Sequence, residues 1–178
     1  NGMTLRVGYE GKNTTIQKNI NDILTQLFKK SYRYTRIGIS KKRNCYRKIA
    51  LYGRKYDGGE EECIPSFRNL SSGEIMIFSI ACKILKEYDR ICNDNNAKLD
   101  NITGIVLIDE IDSHLHSDFS KDIAPTLIKL FPKVQFIVSS HSPFFLLGMK
   151  DEFKDKCQFL SLPSGTLMED IEHFEEIR

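Results

Sequence analysis

Asp109 and Glu110 close an apolar run, Ile105-Val106-Leu107-Ile108. Strand ends in parallel sheets face the crevice where ligands bind. Adjacent strand residues point to opposite sides, so the two carboxylates cannot share one task. One suits holding Mg2+, directly or through water. The other suits orienting an attacking water. Phosphoryl transfer needs that division of labour. A strand that merely runs into a charged turn would carry the same letters.

Two further stretches could handle an anion. Leu70-Ser71-Ser72-Gly73-Glu74 opens an apolar-periodic segment. Hydroxyls, a glycine and free backbone N–H groups at a helix N-terminus attract anions, and the helix dipole adds to this. The plainer alternative is an ordinary cap, with Ser71 or Ser72 as N-cap and Glu74 in the first turn. His141 follows the run Val134–Val138 in the wording FIVSSHS. There a histidine can reach a phosphate or an attacking water, or can serve as a structural cap.

Helices and strands must place these residues. Ser72–Ile91 reads as a helix, its apolar face built from Ile75, Phe78, Ile80, Ala81, Ile84 and Leu85. Ile105–Ile108 reads as a strand buried on both faces, as parallel sheets require. Ser117–Phe131 reads as a helix capped by Ser117, and Val134–Val138 as a second buried strand. Strand, helix and strand in this order make a βαβ unit. Upstream, Thr14–Lys30 reads as an amphipathic helix. Tyr34–Ser40 and Tyr46–Tyr56 alternate as strands joined by the polar turn Lys41–Asn44, with Ile49, Leu51 and Tyr52 facing inward. Asp57-Gly58-Gly59 ends this hairpin, and Gln158–Leu162 reads as an edge strand.

The chain of 178 residues is long enough for one domain with a sizeable core. Its apolar runs fall far short of the ~20 residues that span a bilayer, and its start lacks the apolar segment of a signal peptide. Cys45, Cys63, Cys82, Cys92 and Cys157 form no CxxC pair. The odd, scattered set points to reduced thiols in a cytoplasmic protein, with Cys82 in the core. His114 and His116 could ligate a metal, but no third ligand stands out. Charge is unevenly spread. Residues 1–60 hold 14 Lys+Arg against 4 Asp+Glu, and the remainder holds 12 against 20. The basic segment interleaves cations with tyrosines, a pattern that suits nucleic acid, and Lys41, Lys42 and Arg43 are the cluster most exposed to that test. A solvated hairpin or an acidic partner would use the same residues.

The order LSSGE, helix, IVLIDE, helix, FIVSSHS resembles the ABC-type ATPase heads. The wording LIDEIDSHLH and FPKVQFIVSSHSPFFL is similar to the OLD, RecF and SMC branch, and most of all to AAA-type ATP-binding proteins found with bacterial nuclease and defence systems. The resemblance runs from Phe67 to Leu147. It implies a P-loop NTPase-like α/β fold, a parallel-sheet core with flanking helices, extended here by the N-terminal helix and basic β-hairpin. Residues 1–66 would pack on the head lobe 67–178 as one compact domain. The resemblance implies ATP and Mg2+ as cofactors. Ser71, Ser72 and Gly73 would bind the γ-phosphate of ATP held by a facing head. Asp109 would hold Mg2+ through water, Glu110 would be the general base, Asp112 would lie in the loop at the dimer interface, and His141 would sense the γ-phosphate. The active unit would be a head-to-tail homodimer, hydrolysing ATP and driving a nuclease or DNA-handling partner.

One departure matters. No GxxxxGK[ST] loop is present. In Val7-Gly8-Tyr9-Glu10-Gly11-Lys12-Asn13-Thr14 the glycines are three apart rather than five, and Asn13 stands where a Mg2+-binding hydroxyl belongs. The resemblance therefore implies a C-terminal lobe whose nucleotide-gripping loop lies on a separate N-terminal lobe. The alternative is a non-catalytic nucleic-acid- or protein-binding module that keeps the ATPase fold.

Overall fold

The structure is a computed structural model that describes residues 12–40, 46–92, 98–113 and 115–168. The polar turn with Lys41, Lys42 and Arg43, and also Cys45, His114 and Val7–Gly11 of the loop-like stretch, lie outside the described residues. Lys12, Asn13 and Thr14 open the first helix.

Helix α1, Lys12–Leu27, buries Ile23, Leu24 and Leu27, the face its periodicity predicts. It leans on an antiparallel sheet of three strands: β1, Tyr34–Ile39; β2, Ile49–Arg54; and β3, Glu60–Ile64, in that order. The sequence predicted a two-stranded hairpin ended by Asp57-Gly58-Gly59. These residues instead turn the chain into β3, with Gly58 at φ 96. Glu60-Glu61-Glu62 does not read as a strand because carboxylates are depleted in sheets. Here they pair with the cations opposite: Arg36 with Glu60 at 2.9 Å and Lys55 with Glu61 at 2.7 Å.

The central strand β2 does not alternate. Ala50, Leu51 and Tyr52 are all buried, while Ile49, predicted inward, is exposed. A register shift between Leu51 and Tyr52 breaks the alternation, and both faces are covered. The Arg36 guanidinium lies 4.8 Å above the Tyr52 ring. The Tyr32 ring sits so close to Gly53 that a Cβ there would lie 2.3 Å from it.

Edge strand β1 is closed by α1. Thr35 N–H donates to Thr25 Oγ1 at 3.0 Å, and Ile37 N–H donates to Asn21 Oδ1 at 3.1 Å. Two polar helix side chains thus take the donors that an open sheet edge would offer to other chains.

Helix α2, Ser72–Cys92, forms where its periodicity predicts, but the face it buries runs through Ile77, Ala81 and Leu85, and Ile75, expected on that face, is exposed. Strand β4, Thr103–Ile108, then helix α3, Ser117–Lys129, and strand β5, Lys133–Val138, form the βαβ unit, with β4 and β5 parallel and in register from Thr103↔Lys133 to Ile108↔Val138. The cap position of α3 is His116, with no side-chain cap bond, rather than Ser117. Helix α4, Pro143–Phe153, follows at once, capped by Ser142. Gly148 lets it approach α3, since a Cβ there would lie 2.0 Å from the Lys121 carbonyl oxygen. A short hairpin, β6 (Leu160–Ser161) with β7 (Thr166–Leu167), stands where an edge strand was expected.

One core joins these parts. Ile23, Leu24 and Leu51 meet Ile77, Leu127, Phe131 and Phe145 in a single apolar cluster. The helices cover one face of β4 and β5. The other face is open: Ile105, Leu107 and Ile137 are 67%, 74% and 54% exposed. The expectation of a strand buried on both faces therefore fails within this chain, because the sheet is covered on one side only.

Candidate nucleotide site at the strand ends

The C-terminal ends of β4 and β5 lie side by side. The parallel register ends at Ile108↔Val138, which sets Asp109 beside Ser139. The two loops that follow are tied by four hydrogen bonds through Ser139. Its N–H donates to the Ile108 carbonyl at 2.9 Å, and its carbonyl accepts from Ile111 N–H at 3.1 Å. Its hydroxyl accepts from Glu110 N–H at 2.8 Å and donates to Asp109 Oδ1.

Glu110 has φ 50, the left-handed region that a residue with a Cβ rarely enters. That conformation costs about 1–2 kcal/mol, and the bonds to Ser139 hold it. The twist carries the Glu110 side chain toward His141, whose Nε2 lies 3.8 Å from Glu110 Oε1. Both side chains are open to solvent, 57% and 85% exposed. Asp112 caps the loop that carries His141. Both of its carboxylate oxygens accept the His141 backbone N–H, at 3.1 and 3.3 Å. Beyond it, Ser142 N–H donates to Ser140 Oγ at 3.0 Å and leads into α4.

The signature segment forms a reciprocal cap. Glu74 N–H donates to Ser71 Oγ at 3.2 Å, and Glu74 Oε2 accepts from the Ser71 N–H at 2.7 Å and its hydroxyl at 2.8 Å. This is the capping box that the sequence alternative described. Ser72 is exposed and Gly73 is buried. Among the described residues, no hydrogen bond or ion pair joins Ser71, Ser72 or Gly73 to Asp109, Glu110, Asp112 or His141. The strand-end residues are thus brought together, and the signature residues stand apart from them.

The donor set can be tested against the groups the sequence implied. Asp109 keeps one carboxylate oxygen without a hydrogen bond among the described residues. No three His, Cys, Asp or Glu side chains cluster as a metal cage among those residues. One carboxylate that shares its cation with phosphate oxygens is the way Mg2+ is held in nucleotide sites, and Asp109 fits that use. His116 is exposed and has no described ligand cluster around it.

Ser139 was not singled out from the sequence. Its signal was present, a hydroxyl one residue past a strand that pairs with the acid-ended strand, but only the register shows which residue faces it.

A parallel βαβ unit ending in Asp-Glu and Ser-Ser-His, behind a helix opened by LSSGE, defines an AAA- or ABC-type ATPase lobe of α/β fold. The chain belongs to the family described as "AAA domain, putative AbiEii toxin, Type IV TA system", whose model matches residues 12–147. It is 44% identical over 78 residues to "Retron Ec83 probable ATPase" of Escherichia coli, covering 44% of this chain and 14% of that protein. It is 40% identical over 87 residues to "Retron Vc95 probable ATPase" of Vibrio cholerae serotype O1 biovar El Tor, covering 49% of this chain and 17% of that protein. It is also 39% identical over 83 residues to "Septu protein PtuA" of Bacillus mycoides (strain KBAB4), covering 47% and 11%. The matched segment is thus a small part of each relative. A solved chain described under "Structural biochemistry of ATP-driven dimerization and DNA stimulated activation of SMC ATPases" aligns with a TM-score of 0.42 at 16% identity, over 89% of this chain and 87% of that one.

Proposed function

We propose that this chain is the water-activating half of an ATP-hydrolysing head. The observation that carries the reading is the meeting of Asp109, Glu110 and His141 at two adjacent strand ends. Glu110 is the general base: its exposed carboxylate can take a proton from a water in the crevice. His141 stands beside it and senses the charge of the phosphate being cleaved. Asp109 would hold Mg2+ through water, and bound Mg2+ neutralises charge that develops on the phosphates. Ser71, Ser72 and Gly73 would contact the γ-phosphate of ATP on a facing copy. The Ser71 hydroxyl and N–H are both engaged by Glu74, so the Ser72 and Gly73 N–H groups carry more of that contact.

Completion by a lobe with a phosphate-gripping loop, and by a second copy, belongs to the same proposal. Two observations support it. The relatives are several times longer than the matched segment. Parallel sheets bury both faces, yet Ile105, Leu107 and Ile137 are exposed here. We place residues 1–66 as a unit packed on the lobe 67–178. Coupling to a nuclease or to DNA processing is the expected output. Contact with nucleic acid would run through Lys41, Lys42 and Arg43, since Arg36 and Lys55 of the same sheet are already paired with Glu60 and Glu61.

Glu110→Gln in the completed ATPase tests the assignment. Turnover falls about 10²–10⁴-fold while ATP still binds, the usual cost of losing a general base. Unchanged turnover means that Glu110 is not the base. The second reading, a binding module without hydrolysis, predicts instead no turnover by the completed protein. The capping box that occupies the Ser71 hydroxyl is the observation on that side.

A further inference from the structure

We propose that Ser139 is the positioning residue for both strand-end acids, and that Asp112 returns the service to His141. The proposal rests on the reading of Asp109 and Glu110 as the Mg2+ and water-activating acids.

The geometry is reciprocal. From the β5 loop, Ser139 reaches back to the β4 loop. Its backbone bonds to Ile108 and Ile111, and its hydroxyl to the two residues between them. From the β4 loop, Asp112 reaches forward and accepts the His141 N–H. Each loop therefore fixes the reactive residue of the other. A hydroxyl has one hydrogen to give and lone pairs to accept with. Accepting from Glu110 N–H leaves the Ser139 hydrogen for Asp109 Oδ1. That choice pins one carboxylate oxygen of Asp109 and leaves the other without a hydrogen bond among the described residues.

The same hydroxyl holds Glu110 at φ 50. Without it, the backbone can relax to the ordinary right-handed or extended regions, and the Glu110 side chain swings away from His141. A hydrogen-bonding residue at position 139 is thus needed for position as well as for stability. Alanine removes the clasp but keeps both backbone bonds, so the strand pairing survives. Threonine keeps the hydroxyl.

Two measurements test this. The first is amide hydrogen exchange on the chain itself, without nucleotide. In Ser139→Ala, exchange at Glu110 N–H rises at least about tenfold, the scale of one lost net hydrogen bond. Exchange at Ile111 N–H, which is bonded to the Ser139 carbonyl, stays within about threefold. Ser139→Thr restores protection at Glu110. Equal exchange at Glu110 in the wild type and Ser139→Ala overturns the clasp.

The second is turnover by the completed ATPase. Ser139→Ala lowers kcat about 10–100-fold, the KM for ATP stays within about threefold, and more Mg2+ is needed for half-maximal rate. Ser139→Thr recovers most of the rate. A changed Glu110 amide with unchanged kcat and Mg2+ requirement overturns the positioning role. The control is Glu110→Gln. If that variant hydrolyses ATP at the wild-type rate, the reading of Glu110 as the water-activating acid fails, and the exchange measurement still decides the clasp by itself.

Discussion

At the residue scale, the candidate acids Asp109 and Glu110 and the candidate histidine His141 meet at the ends of two paired strands. Asp109, Glu110 and His141 are legible because their order after two apolar strands, together with LSSGE, resembles the ATPase heads; either pattern alone also suits a merely structural strand. Their mutual arrangement was not legible. It depends on a register that no local pattern encodes, and on a left-handed Glu110. Asp112 illustrates the gap: its hydrogen bond to the His141 backbone has no signal in the sequence. The cysteines behave according to burial. Cys82 is half-buried on α2, and burial pushes its thiol up to about 11. Cys92 is exposed at the end of the same helix. A neutral-pH thiol reagent is expected to modify Cys92 well before Cys82, read by mass spectrometry of the labelled peptides, because the thiolate is the nucleophile. Equal rates would contradict the placement of α2. The sign for stability follows from linkage. The folded pKa of Cys82 lies above its ordinary value of 9.0, so this contribution is intact below about pH 9 and is lost as pH rises through the folded pKa.

At the element scale, strongly periodic segments were read correctly, and the misses have identifiable causes. Helices α1, α2 and α3 fall where 3.6-residue periodicity places them, with shifts of a few residues at their ends. Strand β3 is not legible because Glu60-Glu61-Glu62 has no apolar alternation; its backbone pairs with β2, and two of its carboxylates meet Arg36 and Lys55. Helix α4 was missed because Phe144–Leu147 is a continuous apolar run with no helical period. Its start is set by the Ser142 cap and by Pro143 at the first helical positions. The tie between α1 and the β1 edge is a long-range feature: Asn21 in a helix looks like solvent-facing polarity, yet it is buried and accepts from Ile37 N–H. Asn21→Leu leaves that donor without a partner. Its expected cost is about 1–3 kcal/mol, measured by denaturant unfolding against the wild type. A change below a few tenths would show that the edge is closed by something else.

At the scale of the whole molecule, the consequence of one-sided sheet burial can be measured directly. Leu127 is fully buried on α3, whereas Leu107 on β4 is 74% exposed. Leu127→Ala is expected to destabilise this chain by about 2–5 kcal/mol. Leu107→Ser is expected to shift stability by no more than about 0.5 kcal/mol. Comparable losses at both positions in chemical denaturation would mean that the outer face is covered in solution. Part of the basic excess of residues 1–60 is answered from outside that segment, by Glu61, which pairs with Lys55, and by Asp122 on α3, which pairs with Lys30.

By itself the sequence determined the α/β class, the βαβ order and the residues fit for phosphoryl chemistry. Those follow from side-chain periodicity and residue type, which are local properties. Only the tertiary structure decided that Ser139 clasps the two acids, that Asp112 holds His141, that an acidic strand completes the basic sheet, and that one face of the parallel pair stays open. Each of these depends on which distant residues are brought within hydrogen-bonding or van der Waals reach, and strand register and helix packing set that reach.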